Sequence, residues 1–139
     1  MPGDEIDTVH RAYEALNEGL STGALRSGLE AWFDPRFEYH PPPGVPEPGP
    51  FRGLAEFERF LLFFSEPFQE VRLEIEDLRS DDDRVVFRQR TIVRGGASGM
   101  DIGDRSHVVA TVRDGKLVRL IEDYDASEVL RRAKDDAGP

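Results

Sequence analysis

The sequence predicts an α+β fold, with helices in the first half of the chain and antiparallel strands in the second half. Apolar residues recur every three or four positions up to about residue 64, which is typical of amphipathic helices. From residue 71 onward apolar and polar residues alternate, which is typical of half-buried strands. Asp114-Gly115 separates two alternating segments, and Asp-Gly is a strong signal for a tight hairpin.

Three helices are predicted in the first half. The first is expected to end near Gly19, because a residue without a side chain suits the end of a helix. The second should end before Pro35, and the third is expected over residues 54–64. Between them lie a short alternating strand, residues 36–40, and a loop with six prolines over residues 41–50. The apolar stripe of the first helix consists of Ile6, Val9, Tyr13, Leu16 and Leu20.

Four strands and a short helix are predicted in the second half: strands over residues 71–78, 85–94, 106–112 and 117–124, and a helix over residues 127–133. Residues 95–104 are glycine-rich and are expected to form a connection. One polar strand face carries three arginines, Arg88, Arg90 and Arg94. They are expected either to pair with acids such as Glu74 and Glu76 on the neighbouring strand or to form a dimer interface.

Composition narrows the function classes. The chain has 139 residues, of which 38% are hydrophobic, and fits a single domain over residues 1–139. Its net charge of −10 argues against nucleic-acid binding and against anionic membrane surfaces. The longest apolar run, residues 60–64, is too short to cross a bilayer, and the acidic start lacks a signal sequence, so a cytoplasmic protein is expected. Without cysteine there is no disulfide and no cysteine-bound zinc.

The histidines are the first candidates for proton transfer, because imidazole titrates near neutral pH. His40 ends the short strand directly before the proline-rich loop, and His107 lies in a later strand. The three histidines are scattered without the spacing of metal ligands, so neither a metal site nor a cofactor is expected. Glu122 shares a strand face with Leu120 and Tyr124, and burial in a cavity would raise its pKa.

Four segments together resemble a known family: AYEALNEG, EYHP, FRGLAEFERF and TVRDGKLVRLIEDYD. Over about residues 5–132 they look like the SnoaL-like and ketosteroid-isomerase-like branch of the nuclear transport factor 2 fold. The resemblance implies a cone, in which N-terminal helices pack on a strongly curved antiparallel sheet and enclose one pocket. It also implies a homodimer through the sheet.

The resemblance also suggests site residues. His40 falls where the isomerases have their general base, and His107 falls at or near their protonated aspartate. Their first-helix tyrosine matches Ala12, with Tyr13 one position later, so steroid isomerisation is not expected. Glu122 matches the acidic residue that similar epoxide hydrolases carry on the last strand. The predicted catalytic residues are therefore His40, His107 and Glu122, and the predicted pocket wall is Tyr13, Trp32, Phe57, Phe87, Gln89, Val109, Leu120 and Tyr124.

Two functional hypotheses from different classes follow, with a third behind them. The first is a pocket that binds a small apolar organic ligand and performs acid–base chemistry on it: isomerisation, cyclisation, dehydration or hydrolysis. The second is a non-catalytic ligand-binding or dimerisation module in which the polar groups only close the cavity. The third, peptide recognition through the proline-rich loop, depends on a single PxxP spacing.

Overall fold

The computed structural model describes residues 4–45, 47, 49–95 and 102–136. Residues 96–101 of the predicted glycine-rich connection lie outside this part. Four helices and six strands form in the described residues. They are α1 (Asp4–Thr22), α2 (Leu25–Trp32), β1 (Phe33–His40), β2 (Phe51–Arg52), α3 (Gly53–Ser65), β3 (Glu70–Asp81), β4 (Arg84–Arg94), β5 (Ile102–Arg113), β6 (Lys116–Asp123) and α4 (Ala126–Asp136).

The strands form one curved sheet in the order β2-β1-β6-β5-β4-β3. This confirms the α+β prediction, with one refinement to the strand directions. β1 runs parallel to β6, whereas the other neighbouring strands are antiparallel. Alternation alone could not show this, because a parallel and an antiparallel strand have the same two-residue period. β3 carries a bulge beside Asp77, whose φ of 54° bends the strand.

The helices α1, α2 and α3 cover the inner face of the sheet. The main core lies between them and the strands, and its centre is aromatic: Phe33 meets Phe37 edge-on with ring centroids 4.9 Å apart, and Phe57 lies 4.8 Å from Phe37. The sequence suggested that Phe33 lies in the second helix. In the structure Phe33 is instead the first residue of β1. Its side chain is fully buried, and burying a side chain of this size contributes about 1.5–3 kcal/mol.

Gly19 is not the end of α1, contrary to the prediction. The helix continues to Thr22, and Gly23 follows it with a φ of 84° and donates its N–H to the carbonyl of Gly19. Gly19 instead allows α2 to approach closely. A Cβ at this position would lie 2.8 Å from Cδ2 of Leu25, so a side chain would separate the two helices.

The outer face of the sheet differs from one end to the other. Towards β5 and β6 it is covered by α4, where Val129 and Ala133 form a second small core with Val109 and Ile121. Towards β3 and β4 it carries ion pairs, including Arg90 with Glu74 at 3.9 Å, as predicted. Further pairs there are Arg72–Glu74, Arg88–Asp77, Arg94–Glu70 and Arg105–Glu76. None of the helices in the described ranges is long and apolar enough to cross a membrane.

Candidate functional site

A cavity of about 860 Å³ opens between the inner face of the sheet, α1, α3 and the proline-rich loop. The loop contributes Pro42, Gly44, Val45 and Glu47 to its lining. Proline fixes φ, so this part of the wall loses little conformational entropy on ordering. The volume lies in the range typical of small-molecule sites.

One wall of the cavity is a continuous row of aromatic rings. Tyr39 contacts Phe60 with centroids 5.0 Å apart, Phe60 stacks on Phe64 at 6.2 Å, and Phe64 contacts Phe68 at 6.1 Å. All four line the cavity, and beside them Phe63 is 64% exposed. Such a wall suits a planar apolar ligand, because aromatic pairs stabilise each other beyond the area they bury.

A buried carboxylate lies in this apolar cavity. Glu122 of β6 is only 8% exposed, and both of its oxygens accept hydrogen bonds from neighbouring strands. The Tyr39 hydroxyl of β1 donates to Oε1 at 2.7 Å, and the Ser106 hydroxyl of β5 donates to Oε2 at 2.6 Å. Three strands therefore fix the position of one carboxyl group.

Burial raises the pKa of Glu122 above its ordinary value, because desolvation penalises the charged form. The hydrogen bonds from Ser106 and Tyr39 act in the opposite direction, and the nearby Asp104 charge adds to the rise. The pKa of the Tyr39 phenol lies well above its ordinary value, first through burial and then through the Glu122 charge. Tyr39 therefore remains a proton donor to the carboxyl group.

A second set of hydrogen-bonded polar side chains lies on the same cavity wall. The Tyr13 hydroxyl of α1 donates to Oε1 of Gln89 at 2.6 Å, and Nε2 of Gln89 donates to Oγ1 of Thr91 at 3.1 Å. Burial, and then the charge of Glu122, raises the pKa of Tyr13 well above its ordinary value. These hydrogen bonds supply the partners that the buried amide of Gln89 requires on an apolar strand face. The ring of Phe87 packs edge-on against the ring of Tyr13, with the centroids 5.4 Å apart.

The structure brings together six of the residues that the sequence singled out. Tyr13, Phe57, Gln89, Leu120, Glu122 and Tyr124 line the cavity. Trp32, Phe87 and Val109 are not among the lining residues. Trp32 and Phe87 pack in the main core, and Val109 belongs to the small core under α4.

The two histidines need the same correction. His40 and His107 are absent from the cavity lining and do not meet Glu122 there. Strand parity is the reason: Tyr39 and Val108 belong to the inner core, so their neighbours His40 and His107 belong to the outer face. Nε2 of His40 lies 3.2 Å from Oε1 of Glu38 on that face, and His107 is in register with Asp123.

Sequence reasoning missed Tyr39, Ser106 and Asp104, all of which are part of the cavity or hold its carboxylate. A signal for Tyr39 was present. In the segment 36–40 the apolar members are Phe37 and Tyr39, so the parity that buries Phe37 also turns Tyr39 inward and His40 outward. Ser106 and Asp104 follow in the same way from the buried Val108. In the described residues no three acids or histidines are grouped to hold a metal ion.

A family profile described as a SnoaL-like domain matches residues 9–120. The chain is a member of the SnoaL-like domain family. No curated protein matches it significantly. Among solved structures, a nuclear transport factor 2-like protein of unknown function from Burkholderia pseudomallei is similar, with a TM-score of 0.71, 21% identity, and coverage of 92% of this chain and 95% of that one.

Two other solved structures are also similar to this chain. IdmH, a proposed polyketide cyclase from Streptomyces antibioticus, has a TM-score of 0.68 and 19% identity, covering 94% of this chain and 98% of its own. TerC, crystallised with polyporic acid, has a TM-score of 0.72 and 20% identity, covering 92% of this chain and 98% of its own. Identities this low show the shared fold and leave the chemistry to the residues of this chain.

Proposed function

We propose that this SnoaL-like protein binds a small, largely apolar, carbonyl-containing compound and catalyses acid–base chemistry on it without a cofactor. Glu122 is the proton-transfer group. The observation that carries the proposal is a desolvated carboxyl group, held by Tyr39 and Ser106, inside an apolar cavity of about 860 Å³. Glu122 thereby takes the role that the sequence had suggested for His40 as base and His107 as donor.

The chemistry follows from the raised pKa of Glu122. A carboxyl group whose pKa is moved towards the working pH can remove a proton from carbon beside a carbonyl and return it elsewhere. This proton transfer is common to isomerisation, cyclisation and dehydration, and in hydrolysis the same group would activate water. General acid–base catalysis contributes about 10²–10⁴-fold in rate. The described fold relatives include a proposed polyketide cyclase, which supports a carbonyl-rich ligand by analogy of fold alone.

The competing function is a ligand-binding module without catalysis. One observation favours it: both oxygens of Glu122 already accept a hydrogen bond from the protein, at 2.7 Å and 2.6 Å. A carboxylate whose two oxygens are both hydrogen-bonded in this way can simply close the polar end of a binding cavity. The two functions differ in whether a ligand proton can reach Glu122.

A probe reaction distinguishes the two without knowledge of the natural substrate. 5-Nitrobenzisoxazole is planar and apolar, and a base that removes its C3 proton breaks the N–O bond and releases a coloured phenolate. We expect saturable turnover by the wild-type protein and at least a ~100-fold lower kcat/KM for Glu122→Gln. The matched control is Glu14→Gln, an exposed glutamate on α1, which should leave the rate unchanged.

Binding is measured in parallel with the uncharged fluorophore N-phenyl-1-naphthylamine. Both variants should bind it as the wild type does, because the aromatic wall is intact. Binding without turnover in the wild type would support the module and refute catalysis by Glu122. Turnover that survives Glu122→Gln would place the base elsewhere.

We also propose that two copies pair through the outer face of the sheet at β3 and β4. Supporting this, α4 covers the β5–β6 end, whereas the β3–β4 end carries the arginine–glutamate row in the single chain. Light scattering after size-exclusion chromatography should give twice the chain mass at micromolar concentration. Arg90→Glu should lower the measured mass to that of one chain. A wild-type protein with the mass of one chain would refute the pairing.

A further inference from the structure

The C-terminal helix contacts the strand end that carries the cavity carboxylate. Nη1 of Arg132, on α4, lies 3.0 Å from the backbone oxygen of Glu122 and 3.1 Å from Oδ2 of Asp123. Since an Nη atom carries two hydrogens, it can donate to both acceptors at once. Arg132 is three-quarters buried, with 26% of its side chain exposed, and Asp123 has 9% exposed.

The contact is built from the helix as well as from the ion pair. Asp123 accepts the N–H of Asp125 through Oδ1 at 3.0 Å, which ties the start of α4 to the end of β6. Val129 and Ala133 then pack on Ile121 and Val109, so the arginine between them approaches β6 in a fixed orientation. A partly buried, charge-assisted arginine contact of this kind is stronger than an exposed ion pair.

The neighbouring strand explains why this end of β6 needs a side-chain donor. β1 pairs with β6 as far as His40, opposite Ile121, and is followed by Pro41, Pro42 and Pro43. Proline has no N–H, so the chain beyond His40 has no backbone donor to offer over these three positions. Glu122 lies one residue beyond the last pair, and Arg132 donates to its carbonyl.

We propose that Arg132 is a positioning residue, which acts from the outer face of the sheet to hold Glu122 in the geometry its reaction requires. The proposal rests on the proposed function of Glu122. The carboxylate reaches Tyr39 and Ser106 at 2.7 Å and 2.6 Å only while its backbone is fixed. Arg132 is not itself a lining residue and contacts the lining residue Glu122 at its backbone oxygen, so its effect on the reaction passes through the backbone of β6.

Arg132→Met alone would leave the Asp123 carboxylate, whose side chain is 9% exposed, without its partner, and that alone destabilises a protein. Asp123→Asn therefore serves as the reference, and Asp123→Asn with Arg132→Met is the test protein. Arg132→Lys, which keeps the positive charge on a single donor nitrogen, is the conservative variant. Arg131→Met is the matched control one position away, where the arginine is 60% exposed and pairs with Glu128 within α4.

Each protein is assayed with 5-nitrobenzisoxazole over pH. Relative to the reference, the test protein should lose kcat on the order of tenfold while KM stays within about twofold, since misplacement of a reacting group affects the chemical step. The pH midpoint should move upward, because the Tyr39 and Ser106 bonds that lower the pKa of Glu122 are weakened. Arg132→Lys should recover part of kcat, and Arg131→Met should match the wild type.

An unchanged kcat and pH midpoint would overturn the proposal, as would a loss that equals the unfolded fraction measured by circular dichroism. A second readout does not need activity. With ¹³C-labelled glutamate, the Glu122 carboxyl signal is assigned by its absence in Glu122→Gln and titrated in each protein. If the wild type shows no turnover, the proposed function fails, and the Glu122 titration still decides whether Arg132 positions it.

Discussion

Two glutamates on neighbouring strands, Glu122 on the inner face of the sheet and Glu38 on the outer face, experience opposite electrostatic environments. Burial raises the pKa of Glu122, against two hydrogen bonds from neutral hydroxyl groups. At Glu38 partial burial also acts to raise the pKa, but the hydrogen bond from His40 and the charges of His40, Arg119 and Arg52 outweigh it and lower the pKa. The same type of side chain has a raised pKa on one face and a lowered pKa on the other.

The two faces also differ in how they use polar residues. The inner face satisfies its carboxylate with the phenol of Tyr39 and the hydroxyl of Ser106, and the cavity lies beside them. The outer face at β3 and β4 pairs acids with arginines, and water and salt screen these pairs. Stability should therefore depend strongly on inner-face residues and weakly on the outer ion pairs.

The largest expected effect tests the packed end of the inner face. Phe37 is fully buried between Phe33 and Phe57, and Phe37→Ala should lower the free energy of unfolding by about 3–5 kcal/mol. Urea titration followed by circular dichroism measures the change. Phe63→Ala is the control, because this side chain is 64% exposed. A similar loss in both variants would show that the inner face is not the main source of stability.

A smaller effect is expected where the cavity meets its carboxylate. Tyr39→Phe keeps the ring and removes only the hydroxyl that donates to Glu122 at 2.7 Å. Leaving a buried acceptor without its donor costs about 1–3 kcal/mol, so unfolding should become easier by that amount. The pKa of Glu122 should rise further, since the lost bond lowers it. Tyr124→Phe changes a residue that is 50% exposed and should alter the free energy of unfolding less. Equal changes in the two variants would contradict a stabilising hydrogen bond from Tyr39 to Glu122.

The two glutamates should give opposite pH dependences of stability. The pKa of Glu122 is raised in the folded state, so its contribution is fully present below the ordinary glutamate pKa and is lost as pH rises through the folded value. Glu122→Gln removes this loss, so the variant should gain stability over the wild type as pH rises. The pKa of Glu38 is lowered, so its contribution is present above the ordinary value and lost as pH falls.

Glu38→Gln should therefore differ most from the wild type near neutral pH and converge with it in acid. Unfolding titrations of the three proteins at several pH values measure both slopes. If the free energy of unfolding changed with pH in the same way in both variants, the two glutamates would not have opposite pKa shifts.

The sequence predicted much of this arrangement because periodicity reports which side of an element is buried. The stripe on α1, the alternation in β3 and β4 and the Asp114-Gly115 hairpin all appear where expected. Gly19 was misread because a glycine that ends a helix and one that admits a neighbouring helix look identical in sequence. β2 was missed because a two-residue strand has no period.

The candidate site was predicted less well, because it depends on which strands become neighbours. Glu122, Gln89 and Tyr13 were recognised as polar residues on apolar faces, and they line one cavity. The prediction of His40 rests on imidazole chemistry, whereas strand parity turns His40 outward and Tyr39 inward. The link from Arg132 to Glu122 joins residues on a helix and a strand whose packing no local pattern records.

The smallest expected effect tests the outer face directly. Arg105 on β5 and Glu76 on β3 form an ion pair on the outer face of the sheet. Nε of Arg105 lies 3.1 Å from Oε1 of Glu76, and the two side chains are 55% and 32% exposed. Arg105→Ala should lower the free energy of unfolding by at most about 1 kcal/mol, because exposed pairs gain little over their hydrated state. The difference from the wild type should shrink further when urea titrations are repeated in 1 M salt, where the screening length falls to about 3 Å. A loss as large as that of Tyr39→Phe, unchanged by salt, would contradict this expectation and would mean that Arg105, on β5, lies within the proposed β3–β4 interface rather than beside it.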